Sequence, residues 1–269
     1  MENSGIAWTD HTFNPWIGCT KVGPGCQLCY AEDLATRRLG VEWGPGKARR
    51  RTKPQNWSKV RKWHREAEKA GVRPWVFVAS LADVFDNEVD PAWRADLFAL
   101  VDECRNLNFI FVTKRIGNGM QMLPPFFARD YPHVGVVATV VTQAECDRDA
   151  PKLRALKDMG LARWIGLSIE PQIEKIAPKV QGIDWIITAG ESDQGGQKAR
   201  DYDVNWVTPL LAYCIENEAA LFVKQFGSAY ARANGFCDKA GADPMEWLRE
   251  LRIQQMPFGV PTTIERVAQ

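Results

Sequence analysis

The chain has 269 residues, 45% of them hydrophobic and 25% charged, enough to bury a core the size of one barrel domain. It has no run of 18 apolar residues, and Met1-Glu2-Asn3-Ser4 lacks the basic-then-apolar pattern of a secretion signal, so a membrane span is excluded and a cytoplasmic protein is expected. Seven cysteines, an odd count in a reducing compartment, argue against a disulfide framework and turn attention to metal or catalysis.

A first short strand is predicted over residues 12–18, running directly into Cys19, Cys26 and Cys29. These three are spaced C-x6-C-x2-C in a loop broken by Gly18, Gly23, Pro24 and Gly25. A closed structural zinc site wants four protein ligands, whereas an iron-sulfur cubane held by three thiolates keeps one iron open. A zinc reading stays available if His11 supplies the fourth ligand. Residues 30–39 read as a helix ended by Gly40, and Gly44-Pro45-Gly46 as a break.

The net charge of +1 hides an asymmetry. Residues 47–73 carry eleven basic side chains against Glu66 and Glu68, a local +9. With Trp57 and Trp63 inside the stretch and Trp43 and Trp75 beside it, this reads either as a phosphate-gripping surface with base-stacking platforms or as a solvated basic helix.

From Pro74 onward, continuous apolar runs alternate with amphipathic segments. The runs are 75–79, 108–113, 134–141, 164–169, 184–189 and 220–224, and they predict parallel strands buried on both faces. Helices are predicted over 92–104, 143–159, 172–180 and from Thr208, which caps a segment with Pro209 in its first turn. Cys104 and Cys214 fall on inward helical stripes and read as core thiols. The expected fold is α/β, a partial or complete (β/α) barrel of about six to seven parallel strands. It would span residues 1–239, with a basic insertion over 44–73. Residues 240–269 would form a C-terminal extension whose 244–251 segment looks helical and would cover an open barrel edge.

In such a barrel the functional groups collect at the carboxyl ends of the strands. Those ends carry Ser80 and Asp83, then Lys114 and Arg115, Thr139, Glu170, Glu191, and Lys224, with Arg200 a little further on. A shared polar pocket at one barrel mouth explains this succession better than ordinary polar turns. No phosphate-binding Walker loop, dinucleotide fingerprint or serine nucleophile elbow is present.

The chain resembles the phage-associated three-cysteine proteins of the radical S-adenosylmethionine (SAM) type, long described as phage proteins of unknown function. The resemblance rests on Trp8-Thr9-Asp10, Asn14-Pro15, Gly18-Cys19-Thr20-Lys21-Val22, Pro24-Gly25-Cys26 and Cys29-Tyr30-Ala31-Glu32. Further matches are Ser80 with Asp83-Val84-Phe85, Thr113-Lys114-Arg115, Glu170-Pro171, Gly190-Glu191-Ser192, Ala199-Arg200 and Lys224-Gln225-Phe226-Gly227. The first cysteine interval is six here, where the wider superfamily has three.

The resemblance implies a radical SAM-type barrel in which Cys19, Cys26 and Cys29 bind a [4Fe-4S] cluster. Ser80, Asp83, Thr139, Glu170 and Glu191 would contact SAM, and Lys114, Arg115, Arg200 and Lys224 the substrate. It also implies reductive cleavage of SAM to a 5′-deoxyadenosyl radical, with electrons from a donor such as flavodoxin or ferredoxin. The radical would then abstract hydrogen to modify or rearrange a nucleobase in phage DNA, an amino-acid-modified thymine being one form, in the bacterial host cytoplasm. A zinc-stabilised nucleic-acid-binding module, or a radical SAM enzyme acting on a small metabolite or a protein, are the alternatives.

Overall fold

Strands with no polar face must be covered on both sides, and in the computed structural model the six apolar runs form one parallel sheet with helices on its outer face. The structure describes residues 1–125 and 127–259. The chain opens with β1 (His11–Phe13) and β2 (Trp16–Ile17), then α1 (Tyr30–Leu39), β3 (Arg50–Arg51), α2 (Pro54–Ala70), β4 (Trp75–Val78) and α3 (Pro91–Glu103). Next come β5 (Asn108–Thr113), the single turns α4 (Gly119–Met122) and α5 (Phe127–Asp130), β6 (Val134–Thr139), α6 (Gln143–Asp158) and β7 (Trp164–Ile169). The last elements are β8 (Trp185–Ala189), α7 (Val207–Glu216), β9 (Ala220–Gln225) and α8 (Gly227–Asn234).

The sheet order is β1-β4-β5-β6-β7-β8-β9, every pair parallel, so successive strands are neighbours as in a barrel. No pairing between β1 and β9 is seen among the described residues, and the sheet is a curled half-barrel. Outward-facing Val76, Val78, Phe109, Phe111, Val136, Ile165, Leu167, Ile186 and Leu221 join the helices in the larger core. The inward-facing residues form a second core, dominated by tryptophan.

Trp75, Trp164 and Trp185 each begin a strand, so they sit together at the amino end of the half-barrel. Their rings meet edge to face, Trp75 on Trp164 at 5.8 Å and Trp164 on Trp185 at 6.3 Å, and Trp8 closes the row at 6.0 Å from Trp185. This aromatic floor leaves the carboxyl end free for polar groups. Gly135 makes room for it, because a Cβ there would lie 1.9 Å from the Trp164 ring.

Both edges of the open sheet are covered by segments from near the chain ends. Residues 1–4 run along β1, with Ser4 N donating to Asp10 O and Thr12 N to Met1 O. On the other side Val223 N donates to Ile253 O and Gln255 N to Leu221 O, while Trp8 and Met256 share the inner core. A bare parallel edge would invite pairing with another chain, and these contacts remove it.

Several expected elements differ. The segment 12–18 is split, because Pro15 cannot continue a ladder: β1 joins the main sheet, while β2 pairs with β3 in a small antiparallel ribbon. Residues 172–180 are not helical; Pro171 and Pro178 each remove a donor, and Gln172 instead donates its backbone N–H to Ala189 O. Thr208 lies inside α7, which begins at Val207 behind a 3-10 turn over Val204–Trp206. The 244–251 segment holds two 3-10 turns, Pro244–Glu246 and Arg249–Leu251, rather than an α-helix. Residues 260–269 of the expected extension lie outside the described residues.

His133 gives the fold a pH dependence. It is buried, its Nε2–H donates to Val101 O at 3.0 Å, and desolvation lowers its pKa below the usual imidazole value. The unfolded chain therefore binds a proton that the folded chain refuses, and stability falls as pH drops through about 6.5, by up to about 1.4 kcal/mol per pH unit. Urea unfolding at about pH 7.5 and about pH 5.5 should show this loss, and His133→Gln should reduce it, the remainder coming from His11, whose pKa desolvation also lowers.

Candidate active site at the carboxyl end of the half-barrel

Gly18, at φ +116°, turns the chain out of β2 into Cys19 and donates its N–H to Leu81 O. A 3-10 turn over Pro24–Cys26 buries Cys26, and Cys29 occupies the N-cap position of α1. All three thiols are free and line one cavity of about 400 Å³. The cavity is also walled by Ser80, Asp83, Lys114, Arg115, Thr139, Ser168, Glu170, Glu191 and Lys224, which come from the ends of six successive strands, β4 to β9. Cys104, Cys146 and Cys214 are buried in the outer core, where desolvation pushes each thiol up to about 12.

The three sulfurs share a wall without being gathered into a cage: among the described residues no three His, Cys, Asp or Glu groups are already arranged around a metal position. His11 does not join them. It lies at the start of β1, at the amino end of the sheet, stacked on Trp63 at 4.3 Å and accepting from Asn3 N at Nδ1. The four-ligand zinc arrangement built on His11 is therefore not what the fold provides. Three thiols with no fourth protein partner among the described residues fit a group that takes three thiolates and keeps one position for a ligand.

The polar residues fall into two sets. Asp83 is saturated: it accepts from Thr113 Oγ1 at 2.7 Å, Lys114 N at 3.0 Å and Phe85 N at 2.9 Å, and lies 3.3 Å from Arg115 Nη1. Arg115 is likewise engaged, through Asp83, the Thr20 carbonyl at 2.8 Å and the Cys19 sulfur at 3.1 Å. Burial and the nearby Asp83 push the Cys19 thiol up to about 11, with Arg115 opposing them. Glu191 is gripped by Arg200 through Nε and Nη2, and Arg200 stands behind the cavity wall, not on it. Where the sequence suggested SAM contacts at Asp83 and Glu191 and substrate cations at Arg115 and Arg200, the structure thus places two internal ion pairs.

The second set faces the cavity with capacity to spare. Lys114, Thr139 and Ser168 line it without a side-chain hydrogen bond or ion pair among the described residues. Ser80 accepts from Asn14 Nδ2 at 2.9 Å. Lys224 Nζ lies 3.0 Å from Glu170 Oε1, but off the line of a hydrogen bond, so that buried oxygen keeps an unused acceptor direction. Tyr30 was not singled out by sequence. It is 45% exposed and lines the cavity, its hydroxyl donates to Ser80 O at 2.9 Å, and desolvation of that hydroxyl, with Cys29 and Glu170 nearby, raises its pKa. Its position one residue after Cys29 was the available signal.

The basic stretch takes the blander of its two readings over most of its length. Trp57, Val60, Trp63 and Ala67 form the buried stripe of α2, and Trp75 belongs to the aromatic floor, so none of these tryptophans is a stacking platform. Lys47, Arg49, Arg51, Arg61 and Lys62 are paired with carboxylates. The helix starts beside Asn14 at the mouth and runs away from it towards the amino end of β4.

A family profile described as "Protein of unknown function (DUF5131)" matches residues 3–260. The chain belongs to the DUF5131 family. No curated protein matches it. This DUF5131 chain is similar in fold to two single-residue mutants of spore photoproduct lyase. One gives a TM-score of 0.55 at 12% identity, covering 84% of this chain and 78% of that one. The other gives 0.50 at 13% identity, covering 78% and 62%. At these identities the likeness is one of fold alone, and the α/β half-barrel of parallel strands expected above is the fold observed. No helix among the described residues is long and apolar enough to cross a membrane.

Proposed function

We propose that this protein is a radical SAM enzyme. The observation that carries the reading is the convergence of Cys19, Cys26 and Cys29, without a fourth protein ligand among the described residues, on one cavity at the carboxyl end of a parallel half-barrel. A [4Fe-4S] cluster on these thiolates would supply reductive cleavage of SAM and a 5′-deoxyadenosyl radical able to abstract hydrogen. The chain's own part is positioning. The loop carrying Gly23 and Gly25 allows the three sulfurs to close on one centre, and the tryptophan floor keeps water out from below. Glu170, Thr139 and Ser80 would receive the ammonium and hydroxyl groups of SAM, and Lys114 and Lys224 the negative charge of SAM or of the substrate.

For the substrate we take a nucleobase in DNA, an amino-acid-modified thymine in a phage genome being the sharpest form. Support comes from the sequence resemblance, from fold neighbours whose name is spore photoproduct lyase, and from Lys53, which starts α2 on the mouth side with no ion pair among the described residues. The pairing of half the basic stretch favours a second reading, in which a small molecule or a protein is recognised at the cavity alone.

The test is anaerobic reconstitution, with iron, sulfide and zinc measured and 5′-deoxyadenosine followed after adding SAM and a reductant such as flavodoxin. Four irons with cleavage that DNA stimulates in a salt-dependent manner supports the full reading. Cleavage indifferent to DNA leaves the small-molecule or protein substrate. One bound zinc without cleavage overturns both. Lys114→Ala should change unfolding stability by no more than about 0.5 kcal/mol, since the amine has no partner to lose among the described residues. It should nonetheless weaken SAM or substrate binding about tenfold in equilibrium titrations.

A further inference from the structure

The first cysteine of the motif stands six residues from the second, and the structure shows what holds it. Two arginines grip Cys19-Thr20, Arg49 buried and Arg115 largely so. Arg115 Nη2 donates to the Thr20 carbonyl at 2.8 Å and Nη1 reaches the Cys19 sulfur at 3.1 Å, while Arg49 Nη2 donates to the Thr20 hydroxyl at 2.8 Å. Each arginine is anchored on a buried aspartate of the loop after β4, Arg115 on Asp83 and Arg49 on Asp86 at 2.7 Å. That loop is braced from α3 by buried Arg94, whose Nε donates to Val84 O and Nη2 to Asp86 O.

A guanidinium offers several donors in one rigid plane, so one side chain can fix a backbone carbonyl and a sulfur together. The cost of ordering the long arm of the cysteine loop is thereby met by the protein's own contacts. An N–H aimed at a ligating sulfur also stabilises the more electron-rich, reduced state of an iron-sulfur centre, raising its reduction potential.

We propose that Arg115, anchored by Asp83, is a positioning residue for Cys19: it fixes the Cys19-Thr20 arm before metal arrives and donates to the Cys19 sulfur so as to raise the potential of the bound cluster. The second half rests on the radical SAM reading; the first does not. It gives Arg115 a task other than substrate binding, and makes Asp83 the residue that aims it.

The full-length protein and its Arg115→Gln, Arg115→Lys and Asp83→Asn variants test this in two ways. In metal-free protein, amide hydrogen exchange over residues 17–22 should quicken by about tenfold or more in Arg115→Gln and Asp83→Asn, while residues 26–30 exchange as in the wild type. After reconstitution, electron paramagnetic resonance titration should place the Arg115→Gln midpoint at more negative potential than the wild type, with iron content unchanged. Arg115→Lys keeps the buried cation, so its shift should have the same sign and be smaller; it serves both measurements if the glutamine variant does not fold. Unchanged exchange overturns the clamp, and an unchanged midpoint at full iron content overturns the tuning. If the wild type takes up no cluster, the radical SAM reading and the tuning fall together, and exchange alone decides the clamp.

Discussion

Cys26→Ala is expected to abolish cluster binding and to reduce SAM cleavage by more than about 100-fold, to the background of the uncatalysed assay. Cys26 is held by the Pro24–Cys26 turn on the cavity wall, and no other thiol can replace it: Cys104, Cys146 and Cys214 are locked in the outer core and Cys237 is absent from the cavity lining. The loop position keeps the structural cost small, about 1 kcal/mol or less, so circular dichroism and the urea midpoint should hardly move. Cys214→Ala is the informative control. It deletes a buried sulfur packed in the helix layer and should lower stability by about 1–2 kcal/mol while leaving iron content and cleavage intact. Retained cleavage in Cys26→Ala would remove the site from the reaction altogether.

Gly135→Ala is expected to be the most destabilising single-methyl change in the sheet, by about 3 kcal/mol in urea unfolding. The added Cβ would lie 1.9 Å from the Trp164 ring, a distance that must be relieved by moving either a central strand or an indole packed against Trp75 and Trp185. Trp164→Leu by itself should also destabilise, by opening a cavity in the floor. Combined, the two changes should cost less than their sum, because leucine vacates the space that alanine needs. Strict additivity would mean that the glycine serves strand geometry alone and not the indole.

The strands were legible because they are buried on both faces. The runs 108–113 and 164–169 coincide with β5 and β7 to the residue, and Gly40, at φ +61°, closes α1 where the helix was expected to stop. Their polar endings were legible as one cavity for the same reason, since parallel strands in sequential order bring their carboxyl ends together. What each polar residue does there was not legible. Asp83 and Glu170 both follow apolar runs, yet one is closed off by three hydrogen bonds and an arginine while the other keeps an acceptor free, a difference made by residues distant in sequence. Arg49 and Asp86, a buried pair across 37 positions, gave no local signal at all. The tryptophans of the basic stretch did give one: Trp57, Val60, Trp63 and Ala67 follow helical spacing, and a helix that aligns its aromatics on one face turns that face to the core.

The closing of both sheet edges by residues 1–4 and 253–255 bears on how the site comes into being during synthesis. The cysteine loop emerges from the ribosome early, with β1, yet the sheet it serves is finished only when β9 and the segment that pairs with it have been made. Trp8 meets Phe77 early, but its packing is finished only when Trp185 and then Met256, far along the chain, are in place. Until then the nascent protein carries three unburied thiols and a part-covered indole, the state in which oxidation and aggregation compete with folding. On the radical SAM reading proposed above, loading of the cysteines would then await completion of the final strand rather than the availability of the motif itself.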